Sequence, residues 1–151
     1  MKKQSFGTKE EGIHYIKRPG VYGICFDLGE ELKVAVIDTP RGYFLPGGGI
    51  EEREDHETCL KREFVEETGL SVKLLQFVGE SDQVGFTPRT KRYLELQGSF
   101  YITQILEEVG GKVEDDHELV WLNVDKAIKD MHLEYQSYAV SEALLLYREG
   151  K

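Results

Sequence analysis

At 151 residues the chain fits one domain, and its 40% hydrophobic and 31% charged content is the balance of a globular protein, not of a disordered one. A net charge of −9 argues against gripping a nucleic-acid polymer, which takes a basic surface, and no apolar stretch approaches membrane-spanning length. If the ligand is anionic, a divalent cation is the simplest mediator; acidity that only aids solubility is the alternative.

The start, residues 1–6, is basic but lacks the apolar run of a signal peptide, so a cytoplasmic protein is expected. Cys25 and Cys59 lie in apolar surroundings and read as reduced core residues. Residues 14–16 can start a short strand. Residues 21–28 and 32–38 read as strands joined by a hairpin turn at Gly29-Glu30. Residues 41–45 form a brief strand that enters Pro46-Gly47-Gly48-Gly49. A helix is expected over about 55–68, with Asp55 as N-cap and Gly69 as its left-handed stop. Leu60 and Phe64, four apart and beside Cys59, mark its core face.

Residues 70–79 and 93–104 read as two more strands, with 81–92 between them as a polar loop containing Arg89, Lys91 and Arg92. A second loop spans 107–118 and carries an acidic run. Residues 119–124 form a short strand with the only tryptophan, Trp121, which reads as core more readily than as a base-stacking residue. Asp125 is expected to cap a short helix through Met131. The last helix covers about 134–148, with Gln136, Val140, Ala143, Leu144 and Tyr147 at helical spacing. Strands interleaved with helices imply an α/β fold, helices packed on a sheet.

The chemistry concentrates at the first helix. Glycines ahead of a helix let the backbone approach a ligand, and helix N-termini favour phosphate; by themselves the glycines also suit an ordinary turn. Glu63, Glu66 and Glu67 stand at i, i+3 and i+4, on neighbouring positions of one helix face. Like charges so placed cost a few tenths of a kcal/mol per pair, which a bound cation offsets. Carboxylate oxygens suit Mg²⁺ or Mn²⁺. Arg62, eight residues after Glu54 and four before Glu66, can orient either carboxylate. A solvated acidic face with one ion pair is the plainer reading of those spacings.

The whole pattern decides between them. Gly48, five residues, Glu54, seven residues, then Arg62-Glu63-Phe64-Val65-Glu66-Glu67-Thr68-Gly69-Leu70 resembles the Nudix box at every fixed position. With average residue usage such a match arises in one window with a chance on the order of 10⁻⁹. One departure is Arg53, where many members have glycine; it is a candidate to face the substrate. The resemblance implies an α/β/α sandwich with a mixed sheet, one domain over the whole chain. It implies metal-dependent cleavage of a diphosphate linkage in a nucleoside diphosphate derivative, with Mg²⁺ or Mn²⁺ as cofactor. Carried over by position, Glu63 and Glu67 are the main metal carboxylates, Glu66 assists, and the Gly47 carbonyl is a further ligand. Glu54 and Arg62 hold the loop to the helix. Gly48, Gly49 and Phe44 join Arg53 as candidates for substrate contact, Phe44 and Tyr43 being able to stack on a base or to pack in the core. Some members place the general base outside the box; here the candidate is Glu118, in the acidic run 114–118. The resemblance leaves the substrate open. A small nucleotide such as a nucleoside triphosphate is favoured, acted on by a monomer or homodimer, with a non-catalytic nucleotide sensor as the alternative.

Overall fold

The computed structural model describes residues 1–150. Its strands are β1 (Ser5–Phe6), β2 (Ile16–Ile24), β3 (Phe26–Leu28), β4 (Leu32–Thr39), β5 (Gly42–Phe44), β6 (Gly47–Gly49), β7 (Leu70–Thr87), β8 (Arg92–Glu108) and β9 (Glu118–Asn123). Its helices are α1 (His56–Thr68), α2 (Val124–Asp130) and α3 (Glu134–Glu149). A mixed sheet runs β1-β7-β8-β2-β6, with β2 parallel to β8 and antiparallel to β6. In a second sheet β4 pairs antiparallel with β3, β5 and β9.

The alternation of the strands sorts the core into two layers. Val21 and Tyr101 face α1 and pack with Cys59, Leu60 and Phe64. Tyr22, Ile24, Phe100 and Ile102 face the other way, toward Tyr135, Ala139, Val140, Ala143 and Leu144 of α3. A bulge between Leu74 and Gln76 turns β7 over, so Val72 and Leu74 serve the α1 layer and Val78 the α3 layer. This is the expected sandwich of helices on both faces of a mixed sheet. Leu60 and Phe64 are fully buried; each stabilises the seat of α1 by about 2 kcal/mol.

Helix α1 behaves as its sequence dictates. The Asp55 carboxylate accepts from Thr58 N at 2.8 Å, and Gly69, at φ +74°, donates its N–H to Val65 O. Elsewhere the boundaries move. Residues 21–28 are two strands, not one: the chain changes sheets at Cys25, whose carbonyl accepts from Ala35 N. Both cysteines are buried and free. The cap of α2 is Asn123, which accepts from Asp125 N and Lys126 N, and not Asp125. Trp121 is 38% exposed, because its position on β9 points away from the core.

The largest correction is at 81–92. Most of that stretch belongs to one long hairpin, β7 continuing to Thr87 and β8 starting at Arg92. Ser81, Asp82 and Gln83 are polar yet buried. Ser81 and Gln83 bond to the start of α3, which has no side-chain cap of its own at Leu133, while Asp82 pairs with Lys3. Gln83 Oε1 accepts from Tyr135 N at 3.1 Å, and Ser81 Oγ donates to Tyr135 O at 3.2 Å. A helix terminus must find partners for its first amides, and here a strand supplies one. Among the described residues, no helix is long and apolar enough to cross a membrane.

Candidate active site

Three elements meet at the box: β6, α1 and the loop at 109–117. Helix α1 starts one residue from its expected position, after the glycines. They form β6 on the edge of β2, and residues 50–55 separate them from α1. The amide of Thr58 in the first turn of α1 is taken by Asp55, so it is not held open for phosphate. The glycines answer a different need. A Cβ at Gly47 would lie 2.2 Å from the Val21 carbonyl oxygen, and one at Gly48 would lie 2.6 Å from Glu63 Cδ. The bare backbone of Gly48 is therefore the wall against which the Glu63 carboxylate sits. Arg53 adopts φ +66°, a left-handed conformation that a non-glycine residue enters at a cost of roughly 1–2 kcal/mol. The loop keeps the shape a glycine there would favour, and Arg53 is exposed.

Arg62 organises the outer half of the cluster. Its Nε and Nη2 reach the two oxygens of Glu54 at 2.6 and 2.9 Å, a two-pronged pair. Nη2 also donates to Gly49 O at 3.0 Å, tying α1 to β6. Nη1 donates to Glu63 Oε1 at 2.9 Å and to Glu66 Oε2 at 3.1 Å. Glu54 Oε1 accepts from Glu51 N as well. Arg62 above all, then that amide, holds the Glu54 carboxyl down to about 2.

The inner half differs. Side-chain exposure is 36% at Glu66, 17% at Glu63 and 8% at Glu67, so the face runs from solvent inward. Glu67 Oε1 accepts from Gly47 N at 2.8 Å, and Oε2 lies 3.1 Å from His117 Nδ1. Burial first, then the charges of Glu63, Glu114 and Glu66, push its carboxyl up to about 8 against the pull of the Gly47 amide. Burial also raises Glu63, with Arg62 opposing. A buried carboxylate ringed by like charges on an all-oxygen face fits a hard divalent cation, which would favour the ionised form of every member.

The loop is fastened to the end of α1. Val113 N and Glu114 N donate to Glu66 O, and Val109 N and Gly110 N to Gly69 O. Glu114, Asp116 and His117 each bring one donor atom within 4.8 Å of the others. Glu118, the outside base the sequence pointed to, starts β9 opposite Asp38 and is exposed. The side chain of this stretch that bonds to Glu67 is His117. Sequence reading passed over it because no metal-type spacing marks it; only the folding of 109–117 onto α1 brings it there. His56, in the first turn of α1, is half-buried, with Nδ1 2.7 Å from Tyr101 Oη.

Beside Glu67, Gly47 and His117 opens a cavity of about 340 Å³. Its far wall holds Phe44, with Arg41 Cζ 5.3 Å from the ring and the His132 ring 5.1 Å away. Phe86 and Thr87, from the hairpin end read as loop, close another side.

The NUDIX domain family model matches residues 17–142. Diphosphoinositol polyphosphate phosphohydrolase 2 of Rattus norvegicus is 29% identical over 121 residues, covering 74% of this chain and 65% of that protein. The chain thus spans 65% of the length of that relative. A NUDIX hydrolase from Nitrosomonas europaea superposes with a TM-score of 0.65 at 18% identity, covering 89% of this chain and 90% of that one. An ADP-ribose pyrophosphatase from Streptococcus suis does so with 0.63 at 16%, covering 87% and 92%. At these identities the structural likeness is one of fold.

Proposed function

The chain belongs to the NUDIX hydrolase family, and from that premise we propose that it is a divalent-metal-dependent pyrophosphohydrolase of a nucleoside diphosphate derivative, a nucleoside triphosphate or similar small nucleotide. The observation that carries this is the opening of the buried Glu67 carboxylate onto an aromatic-walled cavity. Glu63, Glu66 and Glu67, with the Gly47 carbonyl, would hold Mg²⁺ or Mn²⁺. When bound, the cation supplies charge neutralisation for the diphosphate and makes a water easier to deprotonate. Glu63, seated against the Gly48 backbone and bonded by Arg62, would orient the attacking water and accept its proton. Arg62 and Glu54 fix the helix against β6, and Gly48 leaves room for the Glu63 carboxylate.

The cavity favours a nucleoside as the remaining part of the substrate. A base can stack on Phe44, and a cavity of this volume suits a small molecule. The polyphosphorylated ring named for the rat relative calls for several cations, whereas Arg41 is the one Lys or Arg among the residues lining the cavity. The test is a panel of nucleoside triphosphates, ADP-ribose, nucleotide sugars, dinucleoside polyphosphates and a diphosphoinositol polyphosphate, each with Mg²⁺ and Mn²⁺. Products are identified by mass. A nucleoside monophosphate among the products supports the proposal. Tight nucleotide binding with no cleavage of any member would make the protein a sensor, and cleavage of the inositol compound alone would overturn the nucleotide assignment.

A further inference from the structure

We propose that His117 is a positioning residue for the reaction, holding the Glu67 carboxylate in the orientation that meets the cation; this rests on the pyrophosphohydrolase reading above. Glu67 is held from two sides by two different elements. Gly47 of β6 donates its amide to Oε1, and the His117 ring stands 3.1 Å from Oε2. With the carboxylate ionised, His117 Nδ1–H donates to Oε2. Each oxygen then keeps a second lone pair for a cation, while rotation about the last side-chain bond would break both hydrogen bonds.

His117 is itself fixed from behind. The amides of Val113 and Glu114 bond to the Glu66 carbonyl, one residue from Glu67. The loop and the carboxylate it serves therefore share one anchor on α1. The far ring nitrogen, Nε2, lies 3.7 Å from Asp116 Oδ1, so an acidic neighbour flanks the ring on that side too. His117 also lines the cavity next to Glu67 and Gly47, where the diphosphate of a bound substrate would pass. Partners of metal-binding carboxylates in this position typically account for 10–100-fold in metal affinity or activity.

The test compares wild type with H117A and H117Q, the glutamine retaining a donor for Oε2. Free Mn²⁺ is followed by electron paramagnetic resonance during titration of the substrate-free proteins, and kcat and KM are measured with a nucleoside triphosphate and with ADP-ribose. In H117A, Mn²⁺ affinity falls about tenfold and kcat falls by a similar factor, with KM within about twofold. H117Q recovers most of both. Unfolding curves of the three proteins coincide within a few degrees. Equal Mn²⁺ affinity in H117A and wild type overturns the proposal, as does H117Q behaving like H117A. If wild type binds Mn²⁺ but cleaves nothing, the hydrolase reading fails while the titration still decides the role of His117. Wild type that binds no Mn²⁺ overturns both.

Discussion

Glu54, just ahead of the box helix, and Glu67, in its last turn, have opposite electrostatic fates. Glu54 is matched by the two-pronged Arg62 contact and one amide, and its carboxyl is held down to about 2. Glu67 has one amide and one imidazole, faces three other carboxylates, and is pushed up to about 8. The outer group is complete within the protein. We propose that a bound cation completes the inner one and would offset the cost it carries in the metal-free fold.

The sharpest way to test that contrast is to remove a charge from the inner group. Glu63→Gln should lower kcat by roughly 10²–10³-fold with the fold intact, as losing one electrostatic or proton-accepting group in an active site does. Near-normal turnover would remove Glu63 from the chemistry. Next in size is Gly48→Ala. Its Cβ would collide with the Glu63 carboxylate, so kcat should drop by about tenfold or more, in the way misplacing a reacting group by 1 Å does. Circular dichroism should be unchanged; a global loss of structure would make Gly48 a folding residue instead.

The outer group predicts the reverse pattern. Arg62→Ala leaves Glu54, Glu63 and Glu66 without their shared cation. It should lower the melting temperature by roughly 5 °C, and Arg62→Lys should not restore it fully because a lysine cannot form the fork. A variant as stable as wild type would show that β6 and α1 hold together without this contact.

Much of this was legible from residues 48–70, because a cap, a stop and a one-face cluster are local features. Asp55, Gly69 and the spacing of Glu63, Glu66 and Glu67 do in the fold what the sequence implied. The cap of α2 was missed by two residues, but the larger misses are long-range. Ser81 and Gln83 read as loop because polar residues rarely fill a buried strand, and their partner, the uncapped start of α3, lies over fifty residues away. His117 was silent for the same reason, fifty residues from Glu67. Gly47–Gly49 read either as a backbone open to phosphate or as an ordinary turn, since nothing in three glycines reveals that they pair with β2.

The smallest effects are in pH dependence, and they carry opposite signs. The Glu54 carboxyl, depressed in the fold, contributes stability above the unfolded value of about 4.3; that contribution is lost as pH falls through about 2. Glu67, raised in the fold, contributes below about 4.3, and its contribution is lost as pH rises toward about 8. Metal-free protein should therefore weaken between those limits, Glu67→Gln should flatten that slope, and Mn²⁺ should stabilise wild type more as pH rises toward 8. Melting scans from pH 4 to 8, with chelator and with Mn²⁺, read all three. A wild-type slope unchanged in Glu67→Gln would mean that Glu67 is not the group responsible.

One comparison bears most directly on the central claim that the inner carboxylates exist to bind metal and cut a diphosphate. Wild type and Glu67→Gln are assayed side by side at pH 8 with Mn²⁺ on the best substrate of the panel, and their metal-free melting temperatures are taken on the same samples. Wild type should turn over and Glu67→Gln should not, while the variant melts at the same temperature or higher without metal. Retained turnover in Glu67→Gln, or lost turnover explained by unfolding at the assay temperature, would contradict the account.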